Sequence, residues 1–319
     1  MSSRIWQMKA WAILLVICAH CAGVFPSAPA SKVAAQLLQN LGALGVPIFF
    51  FLAGYVFRYK ALGPWLKGKL TGFVVPWLFT GTAVYLYVYL RKGGISLSAL
   101  LLWLVGSGSY LWYLTVQALL WIGAWILFWG REKRGWQLCP VAVAAILASA
   151  VVLLLQALGI IRLHVYLNPL RWLWVFALGL LAGKETLLNC VKTRMWISVT
   201  WLAVLLVGAV AGWQIYYGAW YYTGCALATV IAVGCLPAGR LVGYLERLGR
   251  DSFAVYLLHM PVAGLTSNLC SRVADPTGLL ILSQPLLVLV VTHGAVVLLR
   301  LAAKHLHREK MLGMLFGFR

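Results

Sequence analysis

Three histidines, His20, His259 and His293, interrupt stretches otherwise apolar enough to lie in a membrane. A neutral imidazole, with an unperturbed pKa of about 6.5, can act as a general base, a nucleophile or a hydrogen-bond partner. An ionisable group inside a membrane span costs free energy, so each is a candidate functional residue. His20 sits in WAILLVICAHC, residues 11–21, and Lys9 precedes it by eleven positions. Eleven steps of an α-helix return to within about 20° of the same face, roughly 16 Å further along the axis. One stripe would then carry a cation near one surface and an imidazole deep inside, as a channel lining requires. The competing reading is a structural His20 bonded to a neighbouring carbonyl, with Lys9 anchoring the helix end. His259, in DSFAVYLLHMPV, precedes Pro261, whose missing N–H frees carbonyls for a structural hydrogen bond. His293 reads as structural.

Other chemistries find less support. CAHC, from Cys18 to Cys21, has metal-ligand residue types. Crowding them into one helical turn is poor geometry for a tetrahedral site, so no metal is expected. The six carboxylates, Glu132, Glu185, Glu246, Asp251, Asp275 and Glu309, all fall at expected span ends or in loops. No carboxylate is therefore expected deep in the membrane.

The elements that must hold these residues are membrane helices. Of 319 residues 63% are hydrophobic and only 10% charged. A soluble domain carries about 25% charged residues. Apolar runs of about 20 residues, the length a bilayer demands, lie near 9–25, 36–56, 70–90, 110–130, 139–160, 168–184, 196–214, 218–239, 252–270 and 279–302. The expected fold is one all-α integral membrane domain over residues 1–319, with about ten transmembrane helices. The segment 99–106 is too short to span and reads as re-entrant or interfacial. A cleavable signal at the N-terminus is rejected, because losing the first span would spoil the charge alternation below.

The net charge of +20 raises the question of a nucleic-acid partner. Its distribution answers it. With a cytoplasmic N-terminus, 20 of the 26 Lys and Arg residues fall on the cytoplasmic side; Lys32, Arg91, Lys92, Arg162, Arg171 and Arg272 make up the rest. Basic residues dealt out loop by loop obey the positive-inside rule and form no nucleic-acid patch. Both termini are expected in the cytoplasm and the chain in the inner membrane. A homo-oligomer is compatible with the sequence.

Two aromatic-rich stretches, VPIFFFLAGY (46–55) and GSGSYLWYL (106–114), read either as interface belts or as a lining. Gly45 and Gly54 permit close approach by a helix or a ligand. Arg58, Lys60, Lys67 and Lys69 follow on a cytoplasmic loop, as ordinary topology charge or as a phosphate clamp for a nucleotide-like ligand.

Together these stretches resemble the membrane acyltransferase 3 family. That family opens with Arg or Lys, ten residues, then His, matched by KAWAILLVICAH (9–20). Its VPLFFFISGY, LWFL, aromatic-LG and LGxxSFxIYLLHxP blocks are matched in order by VPIFFFLAGY, LWYL (111–114), WVFALGLLAG (174–183) and LGRDSFAVYLLHMP (248–261). The chain departs from the pattern at Ala53, where the family has Ser, and at Gly72, where many members have Arg. The acidic residue usual near the N-terminal cation is missing.

The resemblance implies transfer of an acyl group, usually acetyl, from acyl-coenzyme A to a hydroxyl of an envelope glycan or related sugar. No cofactor is bound permanently; acetyl-coenzyme A is the donor substrate. It assigns catalysis to His20 with Lys9; on that reading the loop cations Arg58, Lys67 and Lys69 would meet the donor's phosphates. Supporting or acceptor contacts fall to Trp112, Tyr113, Arg171 and His259. The lipid bilayer is the remaining partner. A transporter or flippase of a lipid-linked glycan needs the same polar residues but no acyl donor, and stands as the alternative.

Overall fold

The computed structural model describes residues 3–21, 29–162, 164, 166–182, 240–270, 272 and 278–318. Apolar runs fold as helices because a helix satisfies its own backbone, which lipid cannot do. Among the described residues every regular element is helical. The helices are α1 (Ser3–Cys21), α2 (Pro29–Gly42), α3 (Gly45–Tyr55), α4 (Leu62–Lys69), α5 (Val75–Lys92), α6 (Leu97–Val105), α7 (Trp112–Arg134), α8 (Leu138–Ala157) and α9 (Pro169–Ala182). They are followed by α10 (Arg240–Cys270), α11 (Gly278–His305) and α12 (Glu309–Phe316).

Among the described residues six stretches are long and apolar enough to cross a membrane: Ser31–Tyr55, Leu62–Leu90, Trp112–Arg134, Leu138–Ala157, Leu241–Cys270 and Gly278–His305. α1 falls outside that set, and α9 is a shorter apolar helix. The expected spans 196–214 and 218–239 lie outside the described residues.

Three local features differ from simple spans. The second expected span is broken by a turn at Ala43 and Leu44, four residues before Pro47, which lacks the N–H that would bond back to Ala43. The third begins earlier, at Leu62, and passes through a π-helical turn, Leu70–Val74. Pro76 cannot donate to Gly72, and the ladder loosens just ahead of it. The ninth begins at Arg240, so Arg247, Arg250 and Asp251 are helical and not in a loop.

The chain divides into two packed units, Met1–Ile48 with Leu188–Arg319, and Phe49–Leu187. In the first, α1 lies along α10 in the same direction. Ser3 donates to Glu246, Trp6 packs on Gly249, and His20 meets His259. Gly249 makes this possible, because a Cβ there would run into the backbone of Trp6. The α2–α3 segment returns antiparallel along α1, with Gly42 against Ala19 and Gly45 against Val16. α11 runs antiparallel to α10, with Gln284 bonded to Thr266 and Ser267 at one end and His293 at Asp251 towards the other.

In the second unit, Gly54 of α3 abuts Phe176 of α9, and Gly179 abuts Phe51. Phe50 meets Trp172 at 5.4 Å, so α3 and α9 run parallel. A neighbouring helix, not a ligand, thus fills the space beside both Gly45 and Gly54. α6 has nine residues, about 13 Å of helix. That is too short to span, and the polar groups at its C-terminus need partners. The Gly106 and Ser107 amides serve Leu102 O, Ser109 Oγ serves Trp103 O at 2.6 Å, Trp77 Nε1 serves Leu104 O at 3.0 Å, and Thr115 Oγ1 serves Val105 O at 2.7 Å. All four terminal carbonyls accept a hydrogen bond, so the helix end is satisfied.

Gly249→Leu should therefore force α1 away from α10 and cost about 1–3 kcal/mol or more through overpacking. Gly68→Ala, on α4 with nothing within 4 Å of its Cβ, should instead stabilise by up to about 1 kcal/mol through helix propensity. Thermal unfolding of both variants in detergent checks the contrast.

Candidate functional site

The first unit assembles a histidine pair. α1 carries His20 near its C-terminal end, and α10 carries His259 after the close passage at Gly249. The two rings lie 5.1 Å apart between centroids, inclined at 51°. His259 is fully buried, whereas His20 keeps partial exposure. The His259 Nδ1 lies 2.6 Å from Tyr256 O. A carbonyl only accepts, so Nδ1 carries the proton and Nε2 is the basic nitrogen of the ring. This hydrogen bond orients His259, and it goes to Tyr256 O rather than to Leu257 O, the carbonyl that Pro261 leaves without its helical donor. The tilted ring pair sets this ordered imidazole directly beside His20.

Lys9 does not join the pair. It stands eleven residues before His20 on α1, about 16 Å along the axis. Its ammonium lies over the Trp6 ring, 5.0 Å from the centroid. Lys9 and His20 do share one continuous helix, as their spacing requires.

A second polar cluster was not foreseen. Asp251 is 1% exposed inside α10, correcting the expectation that it marks a span end. His293 Nε2 of α11 sits 3.3 Å from one carboxylate oxygen, and Arg300 pairs with the other. The ring of Tyr244 meets His293 edge-on at 5.6 Å. The apolar run that opens at residue 252 placed Asp251 at a boundary, whereas the helix runs straight through it. The sequence hint to the true arrangement is His293 itself, which as a buried imidazole needs a polar partner.

In the second unit, Trp112 stacks on Trp172 at 5.4 Å and meets Tyr166 at 5.1 Å. Tyr113 packs between Phe49 and Phe50, and its hydroxyl donates to Oε1 of the fully buried Gln117 at 3.3 Å. Gln117 is a polar residue that the sequence reading passed over. Its signal is an amide one helical turn beyond a tyrosine in an apolar span. Arg171 occupies the first turn of α9, and its amide bonds to Asn168 O.

The cations after α3 divide. Arg58 is exposed on the connection, with Nη1 3.5 Å from Phe57 O. Lys67 and Lys69 lie on helix α4, not on a loop. Lys67 is exposed, while the Lys69 ammonium sits 3.0 Å from the centre of the Trp121 ring, a cation–π contact. The connection also carries aromatics, with Tyr59 and Trp65 both against Trp125.

The family model described as an acyltransferase domain, that of the membrane acyltransferase 3 family, matches residues 4–300. No curated protein and no solved structure matches the chain.

Removing a buried carboxylate breaks the hydrogen bonds it accepts from His293 and Arg300, at a cost of about 1–3 kcal/mol. Asp251→Ala should accordingly destabilise the protein by that amount. Arg250→Gln, which loses only the exposed 3.7 Å pair with Glu246, should cost under about 1 kcal/mol. Chemical denaturation of the two variants in detergent separates them.

Proposed function

This chain belongs to the membrane acyltransferase 3 family, so it is a multi-pass membrane acyltransferase, and from that premise we propose that it moves an acetyl group from acetyl-coenzyme A to a hydroxyl of an envelope glycan or related sugar. The observation that carries the proposal is the His20–His259 pair. A base for acyl transfer needs a lone pair near neutral pH and a fixed orientation. The pair supplies two imidazoles, one of them held by Tyr256 O.

In the proposed reaction, neutral His20 takes the proton of the acceptor hydroxyl as its oxygen attacks the thioester carbonyl. The carbon–sulfur bond breaks, and the departing thiolate of coenzyme A receives the proton. Alternatively, His20 attacks the thioester carbonyl and expels the coenzyme A thiolate; the acceptor oxygen then breaks the acyl–nitrogen bond, and its proton ends on the thiolate. His259 orients His20 or shares its proton in either course. Arg58, Lys67 and Lys69 are assigned to the donor's phosphates, and Lys9 to the donor's entry. Trp112, Tyr113 and Arg171 are assigned to supporting or acceptor contacts.

The finer topology is part of the same proposal: one membrane domain of ten spans, both termini cytoplasmic, in the inner membrane. Helix directions support it. α1 and α10 run parallel, as first and ninth spans must, and α3 and α9 run parallel, as second and sixth must. α10 and α11 run antiparallel, as successive spans do.

Membranes carrying the wild-type protein should move label from acetyl-coenzyme A into extracted envelope glycan. His20→Ala should lower that transfer by about a hundredfold or more, the usual contribution of a general base, without changing thermal unfolding. Label that persists in His20→Ala would remove His20 from the chemistry. Absence of transfer and of acetyl-coenzyme A binding, with glycan movement retained, would favour a transporter. For topology, a reporter fluorescent only in the cytoplasm, fused after Arg319, should be bright; a dark fusion would place the C-terminus outside.

A further inference from the structure

The end of α11 carries a cleft that the acyl-transfer reading does not use. Leu301, Lys304, His305, His307 and Glu309 line a cavity of 460 Å³. That falls within the volume of small-molecule sites. Its walls come from a tight reversal. The amides of Leu306, His307 and Arg308 bond back to Ala302, Lys304 and Ala303, and His307 takes a left-handed φ of 52°. α12 starts immediately afterwards.

The reversal is anchored. Phe318 is 6% exposed and lies 5.6 Å from the Arg300 guanidinium, which itself pairs with buried Asp251. The tail is thus tied through Arg300 to α10.

The chemistry of the cleft has two halves. Lys304, His305 and His307 line it with one acidic residue, Glu309, and Arg308 and Lys310 flank that glutamate in sequence, so the rim favours an anion. Beside it the surface is apolar: Leu298 and Leu301 are 67% and 57% exposed on α11, and Met311 is 45% exposed on α12. The apolar side continues directly into the candidate span Gly278–His305. A soluble phosphate would use only the rim. A ligand with an anionic head and long apolar chains uses both.

We propose that this cleft binds the phosphate headgroup of an anionic phospholipid, with Lys304 and His307 at the phosphate and the acyl chains along Leu298 and Leu301. A short helix after a span, with a basic entry and exposed methionines, fits the plane of the membrane interface. The site stands apart from the acyl-transfer reading and depends only on α11 spanning the bilayer.

The test is native mass spectrometry of the full chain in neutral detergent, titrated with dioleoyl phosphatidylglycerol or dioleoyl phosphatidylcholine. The phosphatidylglycerol adduct should form preferentially. Lys304→Gln should weaken it about fivefold, the usual worth of one interfacial cation, and Glu309→Gln should tighten it. Lys133→Gln, an exposed cation on α7, should leave it unchanged. Both Lys304 and Glu309 are exposed, so the variants should retain wild-type thermal unfolding. Equal adducts with the two lipids, or an adduct indifferent to Lys304→Gln, would overturn the proposal. Displacement of phosphatidylglycerol by an equimolar amount of inorganic phosphate would overturn it in favour of a soluble anion.

Discussion

The contact between α1 and α10 at Gly249 is the constraint on which the first unit depends. The absence of a Cβ lets the backbone of Trp6 reach the glycine directly. Two helices that meet this closely keep a fixed register over many turns, because a slip would drive a side chain into the contact. That register brings His20 to His259. It also joins Ser3 to Glu246 at the other end. In lipid, helix association gains little from the hydrophobic effect and relies on close packing through small residues. Gly42 and Gly45 serve α1 in the same way on the α2–α3 side.

A second constraint is the lack of water to satisfy polar groups. Its effects recur wherever the chain departs from a regular helix. The C-terminal carbonyls of α6 accept hydrogen bonds from tryptophan, serine and threonine side chains as well as from the backbone. Ser149, fully buried, donates to Leu170 O at 2.6 Å. Asp251 follows the same rule with charge: a carboxylate that is 1% exposed is held by an arginine and a histidine from the next helix. Such a cluster is weak evidence for stability but specifies how the helices pair.

Several cations have structural partners as well as a place in the charge pattern. Lys9 lies over Trp6, Lys69 over Trp121, and Arg300 between Asp251 and Phe318. A long basic side chain at a helix end can lay its stem on aromatic surface while keeping its head near water. The same residue can thereby orient a span and hold an aromatic neighbour.

The sequence by itself determined the helical membrane class, because runs of about 20 apolar residues leave the backbone few other solutions. It also determined the family, since five blocks in order carry that resemblance and the family model extends over residues 4–300. His20 stood out because an imidazole in an apolar run is costly wherever it points. Periodicity along one helix, however, says nothing about which other helix faces it. Only the tertiary structure decided that His20 meets His259, more than 200 positions later in the chain. It likewise decided that Gly54 meets a helix and that Asp251 lies inside one, paired across to His293 and Arg300. The apolar run opening at residue 252 put Asp251 at a span end, and partners 42 and 49 positions away hold it inside a helix instead. Element type is written in near neighbours; the company a polar residue keeps depends on distant ones, brought together by packing.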